Sequence, residues 1–345
     1  MTRREWLSAA PASWTALHAA AQPDFQRIDT HVHVHWHAPP LIAAMEKSGW
    51  RGLSICDSRE MDDEPSVLDQ MTLGTQSAVR RSEGRLAWAA TFDPRGFESP
   101  DFAERTIESL RQAFAKGAAG VKIWKNIGMG VKSKSGQYLL PDNPVLTPVY
   151  AAIERAGKTL LAHLADPDAA WGTLDPGDPE SAYFRSHPEW HMRGRRGAPS
   201  KEQILAARDR VLARHPRLRV IGCHFGSSEG NLDRVAKWLD RYPNFVVDMA
   251  ARVRYLAREK RETAQAFLRN YSDRVLYATD FQLRDGDHEA AAKSFLLTHD
   301  SEWDFLSRQD TLQFRGQEVR GLGLPDGVLR RIFHDNAVRW LPGAW

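Results

Sequence analysis

Four histidines and one aspartate, His31, His33, His163, His224 and Asp280, are the residues of this 345-residue chain best suited to chemistry. Each falls at or near the end of a segment that reads as a strand, and together they offer enough nitrogen and oxygen donors to hold one catalytic metal ion. In Ile28-Asp29-Thr30-His31-Val32-His33 apolar and polar residues alternate. That pattern brings His31 and His33 out on one side of an extended strand, about 6.6 Å apart at two residues' rise. One ion can reach both rings. An H-x-H pair alone describes hydrogen-bonded packing histidines equally well, and the case gains force from the three partners downstream.

The elements that must position these residues alternate from Arg27 onward. Strand-like segments fall at 28–33, 52–56, 86–91, 120–124, 159–163, 218–224, 245–249 and 275–280. Between them Ala103, Ile107, Leu110 and Phe114 recur at helical spacing from about Asp101 to Gly117. Ser200-Lys201-Glu202-Gln203 reads as a capping box that opens another helix, and Leu232, Val235, Ala236 and Leu239 share one face of a third. Strand followed by helix, eight times over, predicts an α/β fold, a (β/α)8 barrel with parallel strands. Two connections are long. Residues 165–199, after strand five, carry Trp171, Tyr183, Phe184, Trp190 and a basic run, and residues 282–323, after strand eight, hold helical pieces near 290–297 and 302–306. Both are expected over the C-terminal face, where barrel enzymes build their sites.

A (β/α)8 barrel with insertions spans about 200 to over 400 residues, so residues 22–345 are read as one domain. The 42% hydrophobic and 26% charged content is that of an ordinary globular chain. No apolar run approaches the ~20 residues of a membrane span, and a formal charge of +3 with interleaved signs argues against a nucleic-acid surface. The expected partner is a small, anionic molecule, with the chain acting alone or as a homodimer. Cys56 and Cys223 sit in apolar runs and are expected as buried free thiols. Thr2-Arg3-Arg4-Glu5-Trp6-Leu7, followed by Ala19-Ala20-Ala21, looks like a twin-arginine export signal over residues 1–21. It predicts a periplasmic or secreted protein, against retention in the cytoplasm.

Asp29-Thr30-His31-Val32-His33, His163, Cys223-His224-Phe225-Gly226 and Ala278-Thr279-Asp280 together resemble the amidohydrolase superfamily, and within it amidohydrolase family 2, the branch of aminocarboxymuconate-semialdehyde decarboxylase-like enzymes. The likeness runs from Arg27 to Leu341 and includes the closing Asp335-Asn336-Ala337-Val338-Arg339-Trp340 segment. It implies one divalent metal ion per chain, usually zinc, bound by His31, His33, His163 and Asp280, with His224 beside the activated water. Neutral imidazoles with one carboxylate suit such an ion. Asp280 and His224 are then the residues that take, orient or share the water's proton.

Other residues carry weaker signals. Alternation in Gly120-Val121-Lys122-Ile123-Trp124 sends Lys122 and Trp124 to one face, and if Val121 and Ile123 meet the helices, Lys122 enters the barrel mouth. Some superfamily members use a carboxylated lysine there, whereas family 2 generally does not. Lys122 is therefore read as a cation for a substrate carboxylate, or else as a snorkelling structural lysine. Asp248 closes strand seven and is expected to brace His224 or Arg252. His35 and His37 are expected at the entrance. His187, His191, Arg193, Arg195 and Arg196 either clamp an anionic substrate or form a solvated basic loop.

These readings support a metal-dependent hydrolase of a small carboxylate-bearing ester, lactone or amide. The alternative is a non-oxidative decarboxylase or hydratase of an aromatic or conjugated acid. A non-catalytic barrel that only binds a ligand ranks third, since none of the expected ligands is missing.

Overall fold

The computed structural model describes residues 23–57, 65–176, 179–228, 230–284 and 286–345, and the expected export signal lies outside them. Nine strands form one parallel sheet: β1 (Arg27–His33), β2 (Trp50–Ile55), β3 (Leu86–Thr91), β4 (Gly120–Ile123), β5 (Thr159–Ala162), β6 (Arg219–Gly222), β7 (Phe245–Asp248), β8 (Val275–Leu276) and β9 (Phe281–Gln282). Their order, β8-β7-β6-β5-β4-β3-β2-β1-β9, curls the sheet into a barrel. β8 pairs with β7 and β9 pairs with β1, so the expected strand at 275–280 is one stave in two short pieces. Between them the chain bonds both neighbours: Thr30 N donates to the Tyr277 oxygen at 3.0 Å and Ala251 N to the Thr279 oxygen at 3.2 Å. A left-handed backbone at Asp280, φ 65°, interrupts the regular ladder.

Period-two alternation divides the apolar residues between two cores. Ile28, Leu53, Ile55, Ala89, Leu161, Ile221, Val246 and Leu276 fill the barrel interior. Trp340 and Leu341 of the closing segment pack against this filling, and Thr159, the first residue of β5, donates its hydroxyl to the Trp340 carbonyl. The closing segment thus plugs the N-terminal end and leaves the C-terminal end open. Val32, Val121, Ile123, Val220 and Val247 point outward to meet the helices. Helix Phe102–Ala115 has no side-chain cap at Asp101 but buries Phe102 and Leu110. Burial of one Leu contributes about 2 kcal/mol, against about 1 for a cap, so packing decides that helix. Helix Lys201–Arg214 has both, because Ser200 and Gln203 complete the capping box.

The connection after β5 folds around a helix, Pro179–Ser186. After β9 a single helix, His288–Ser307, replaces the two expected pieces, and a hairpin, β10 (Thr311–Phe314) with β11 (Gln317–Arg320), follows it. The helix runs on through Thr298-His299-Asp300-Ser301 because His299 is buried by tertiary contacts that local sequence does not announce.

Candidate metal centre at the barrel mouth

The C-terminal ends of the staves surround a cavity of about 740 Å³ whose wall includes His31, His33, Lys122, His163, His224 and Asp280. Its floor is built from β1. His33 Nδ1 donates to the Ile55 carbonyl oxygen at 3.0 Å, and His31 Nδ1 donates to Asp248 Oδ2 at 2.9 Å. Carbonyl and carboxylate oxygens only accept, so both rings carry hydrogen on Nδ1 and turn Nε2 the other way. Both Nε2 atoms face one oxygen, Asp280 Oδ1, which lies 3.1 Å from His33 and 3.5 Å from His31. Ligands about 2.0–2.1 Å from a tetrahedral zinc stand roughly 3.3 Å apart. The spacing therefore fits a shared ion, and the donor atoms of His31, His33 and Asp280 lie within 4.8 Å of one another.

The electrostatics agree with that fit. Burial and the Lys122 ammonium oppose protonation of His31, but the Asp248 carboxylate, with Cys223, outweighs them and pushes its pKa up to about 10. A cation entering here displaces a proton from His31. Burial also works against ionisation of Asp280, yet the His33 hydrogen bond and the charge of His31 hold it well below the usual carboxylate range.

β6 stops at Gly222, two residues short of the expected end. Beyond it His224, Phe225, Gly226 and Ser227 turn through left-handed backbone, with φ of 59°, 55°, 66° and 66°. Such a turn costs L-residues about 1–2 kcal/mol each. Four bonds hold it: His224 N to Asp248 Oδ1 at 2.7 Å, His224 Nδ1 to the Ala250 oxygen at 2.8 Å, Arg208 Nη1 to the Gly226 oxygen at 2.9 Å, and Ala165 N to Ser227 Oγ at 3.2 Å. Because a carbonyl takes the Nδ1 hydrogen, His224 keeps Nε2 as an unprotonated base. Burial first, then His163 and Arg252, holds its pKa well below the ordinary value.

His163 lines the same cavity but stands outside the group of three atoms. Its ring meets that of His224 edge-on at 4.3 Å, and its Nε2 lies 3.4 Å from Asp166 Oδ1. That nitrogen is buried and makes no hydrogen bond among the described residues. Burial, opposed by Asp166, pulls the His163 pKa down to about 4, so the ring is a neutral donor. Val121 and Ile123 meet the helices, and Lys122 enters the interior as alternation requires, though deeper than the open mouth. Its Nζ lies 3.2 Å from His31 Nε2 and 3.3 Å from Cys223 Sγ.

Several expected positions are revised. Asp248 braces the ring of His31 and the backbone of His224, with no bond to Arg252. His191 and Arg193 lie off the cavity wall: His191 Nε2 bonds the Gly172 oxygen at 3.1 Å and Arg193 reaches Thr173, so the insertion uses them to fasten itself. His35 turns to Thr75 Oγ1 at 2.8 Å, and neither it nor His37 lines the cavity. Trp124 does line it, and its ring meets that of Trp190 at 4.8 Å.

The sequence reading missed Asp57 and Asp166, both in the wall. Each is a carboxylate placed just past a buried strand, which is itself the usable signal. Lys125 Nζ pairs with Asp166 Oδ2 at 2.5 Å inside a cage of Trp124, Tyr183 and Trp190 rings, 4.5–5.2 Å away.

Comparison with known proteins bears on this arrangement. The chain is similar in fold to 2,6-dihydroxybenzoate decarboxylase from Rhizobium, at 14% identity and a TM-score of 0.54, over 92% of this chain and 98% of that one. It is likewise similar to 5-carboxyvanillate decarboxylase from Sphingomonas paucimobilis (16%, 0.50, 92% and 98%). A third is 4-oxalomesaconate hydratase from Rhodopseudomonas palustris (11%, 0.51, 92% and 96%). No curated protein matches the chain. The profile of the Amidohydrolase family matches residues 28–343, and the chain belongs to that family of enzymes.

Proposed function

We propose that this chain is a metal-dependent hydrolase of a small carboxylate-bearing ester, lactone or amide. The observation that carries the reading is the convergence of His31 Nε2 and His33 Nε2 on Asp280 Oδ1, at 3.5 and 3.1 Å, with each Nδ1 pinned to an acceptor. His31, His33 and Asp280 would hold one divalent ion, zinc or a similar borderline ion given imidazole and carboxylate donors, and His163, whose buried Nε2 is unmatched, would complete the set. When bound, such an ion supplies Lewis acidity and an acidified water. Asp280 would orient a water beside that ion and accept its proton. His224 Nε2, kept unprotonated, would share the proton given up by the water and pass it to the leaving group. Lys122, held beside His31 and Cys223, supplies positive charge to the pocket, and the Trp124 and Trp190 rings exclude solvent from one wall.

A second reading draws on that same wall. Aromatic rings and buried cations in one cavity suit an aromatic acid, whose carboxylate would leave as carbon dioxide while a proton drawn from water and relayed by a histidine takes its place on the ring. Metal analysis of purified protein, paired with a panel of lactones, esters, amides and aromatic acids, separates the two. Lactone or ester opening supports hydrolysis, carbon dioxide release supports decarboxylation, and failure to bind any divalent metal after reconstitution sinks both. In that assay His31→Ala and Asp280→Ala are expected to abolish turnover and metal retention together. His224→Asn is expected to lose turnover and keep most of the metal. A fully active His224→Asn protein overturns the role given to that ring.

A further inference from the structure

The cavity's cations are not equally employed. Lys125 is paired with Asp166 at 2.5 Å, and Lys122 is engaged by His31 and Cys223. Arg252 differs. It follows β7 on the wall of the cavity and is 6% exposed. Its Nε is buried without a hydrogen-bond partner among the described residues. Among the described residues its guanidinium makes one hydrogen bond, from Nη1 to the oxygen of the preceding residue, Ala251, at a long 3.3 Å. Of the acids that the β5 insertion brings to this wall, Asp166 is paired with Lys125, Glu189 is exposed, and Glu180 is taken by Arg254 and by the Tyr255 hydroxyl, the latter at 2.5 Å. Tyr255 also presents its ring to Arg252, 5.6 Å from Cζ, a contact that orients the guanidinium without neutralising it.

A guanidinium removed from water costs several kcal/mol unless an anion meets it. Among the described residues, carboxylates are hydrogen-bonded to Lys125 and Arg254 and none to Arg252, on the wall shared with His224 and Asp280. A planar fork with free N–H groups matches a carboxylate better than any neutral group.

We propose that Arg252 is the anion-recognition residue of this cavity, engaging a carboxylate on the substrate as its missing counter-ion. The inference rests on the reading above only in taking this cavity as the substrate site. It assigns specificity to the loop after β7, in place of the basic run at 191–196.

Calorimetric titration of the full chain with benzoate and benzamide, and with acetate and acetamide, tests it in metal-loaded and metal-free protein. In the wild-type protein each acid is expected to bind roughly ten- to a hundredfold more tightly than its amide in both forms. Arg252→Met should abolish that preference in the metal-free protein, while Arg252→Lys, which keeps the charge and loses the fork, should retain part of it. Equal binding of acids and amides by the wild-type protein overturns the proposal, and so does failure of both acids to bind. A preference that survives in Arg252→Met, or one confined to metal-loaded protein, assigns the anion to another partner. The metal-dependent reading fails separately: protein that takes up no metal yet prefers acids through Arg252 removes the catalyst and leaves the subsite standing.

Discussion

Asp166 is 4% exposed, yet its pKa is held at about 2 against an ordinary 3.8. Burial pushes it up, and the Lys125 ammonium, with His163, outweighs burial. A folded value below the unfolded one contributes stability that is complete above about pH 4 and is lost as the pH falls through about 2. Lys125→Met leaves the desolvated carboxyl without its main partner, so its folded pKa rises above the unfolded value and the sign reverses. The variant then loses stability as the pH rises through that new value. The stability gap between wild type and Lys125→Met should widen by about 2–4 kcal/mol between about pH 3 and pH 6. Urea unfolding measures it, and a gap independent of pH would remove the pairing from the account. Single residues of this kind were partly legible. The alternation around His31 and His33 could be read because a strand of period two leaves no other choice of face. The partners of Asp248 were legible in part: His224, one of the two expected, is held through its backbone, whereas the bond of Oδ2 to His31 depends on the stagger of neighbouring staves.

At the scale of the element, the turn after β6 decides where His224 points. A Cβ on Gly222 would lie 2.4 Å from Cζ of Phe245 and 2.9 Å from the Gly226 Cα. Phe245 is fully buried and cannot swing away. Gly222→Ala is thus expected to destabilise the protein by about 1–3 kcal/mol through overpacking and to lower turnover by shifting His224. Denaturant midpoints and activity are the readouts, and an alanine variant of unchanged stability would mean that Phe245 does not clamp the turn. Nothing in Cys223-His224-Phe225-Gly226-Ser227 except the glycine favours positive φ, so the apolar run naturally reads as strand up to residue 224. The partners that bend it, Asp248, Ala250 and Arg208, are distant in sequence. The hairpin at 311–320 escaped for a related reason. Its two turn residues, Arg315 and Gly316, adopt φ of 50° and 78° as a primed turn requires, but Arg-Gly announces that turn more faintly than Asn-Gly.

Taken as a molecule, the barrel and the insertion after β9 meet at a buried carboxylate, Asp29. Asp29 Oδ1 accepts from the His31 backbone at 2.9 Å and from Thr279 N at 3.2 Å, and its Oδ2 accepts from Thr279 Oγ1 at 2.5 Å. It therefore holds together the two stave ends that carry His31 and Asp280. The same Oδ2 is bonded to His299 Nε2 at 2.8 Å, and His299 Nδ1 bonds the Phe295 oxygen at 2.7 Å in helix His288–Ser307. His299 is wholly buried, stacked on Phe295 at 3.7 Å and edge-on to Trp50 at 4.5 Å. The barrel was legible from eight repeats of strand and helix, whereas this tie was not, because it links positions 270 residues apart through a helix whose polar middle reads as a break. His299→Leu keeps the packing volume and leaves Asp29 buried with one partner fewer, a loss of about 3–5 kcal/mol by analogy with broken buried pairs. If the insertion steadies the metal centre through Asp29, backbone hydrogen exchange in this variant should quicken at 29–33 and 279–282 as well as in helix His288–Ser307, and metal should be released more readily to a chelator. Faster exchange confined to the helix, with metal retention unchanged, would show that the insertion only covers the barrel and takes no part in holding its ligands.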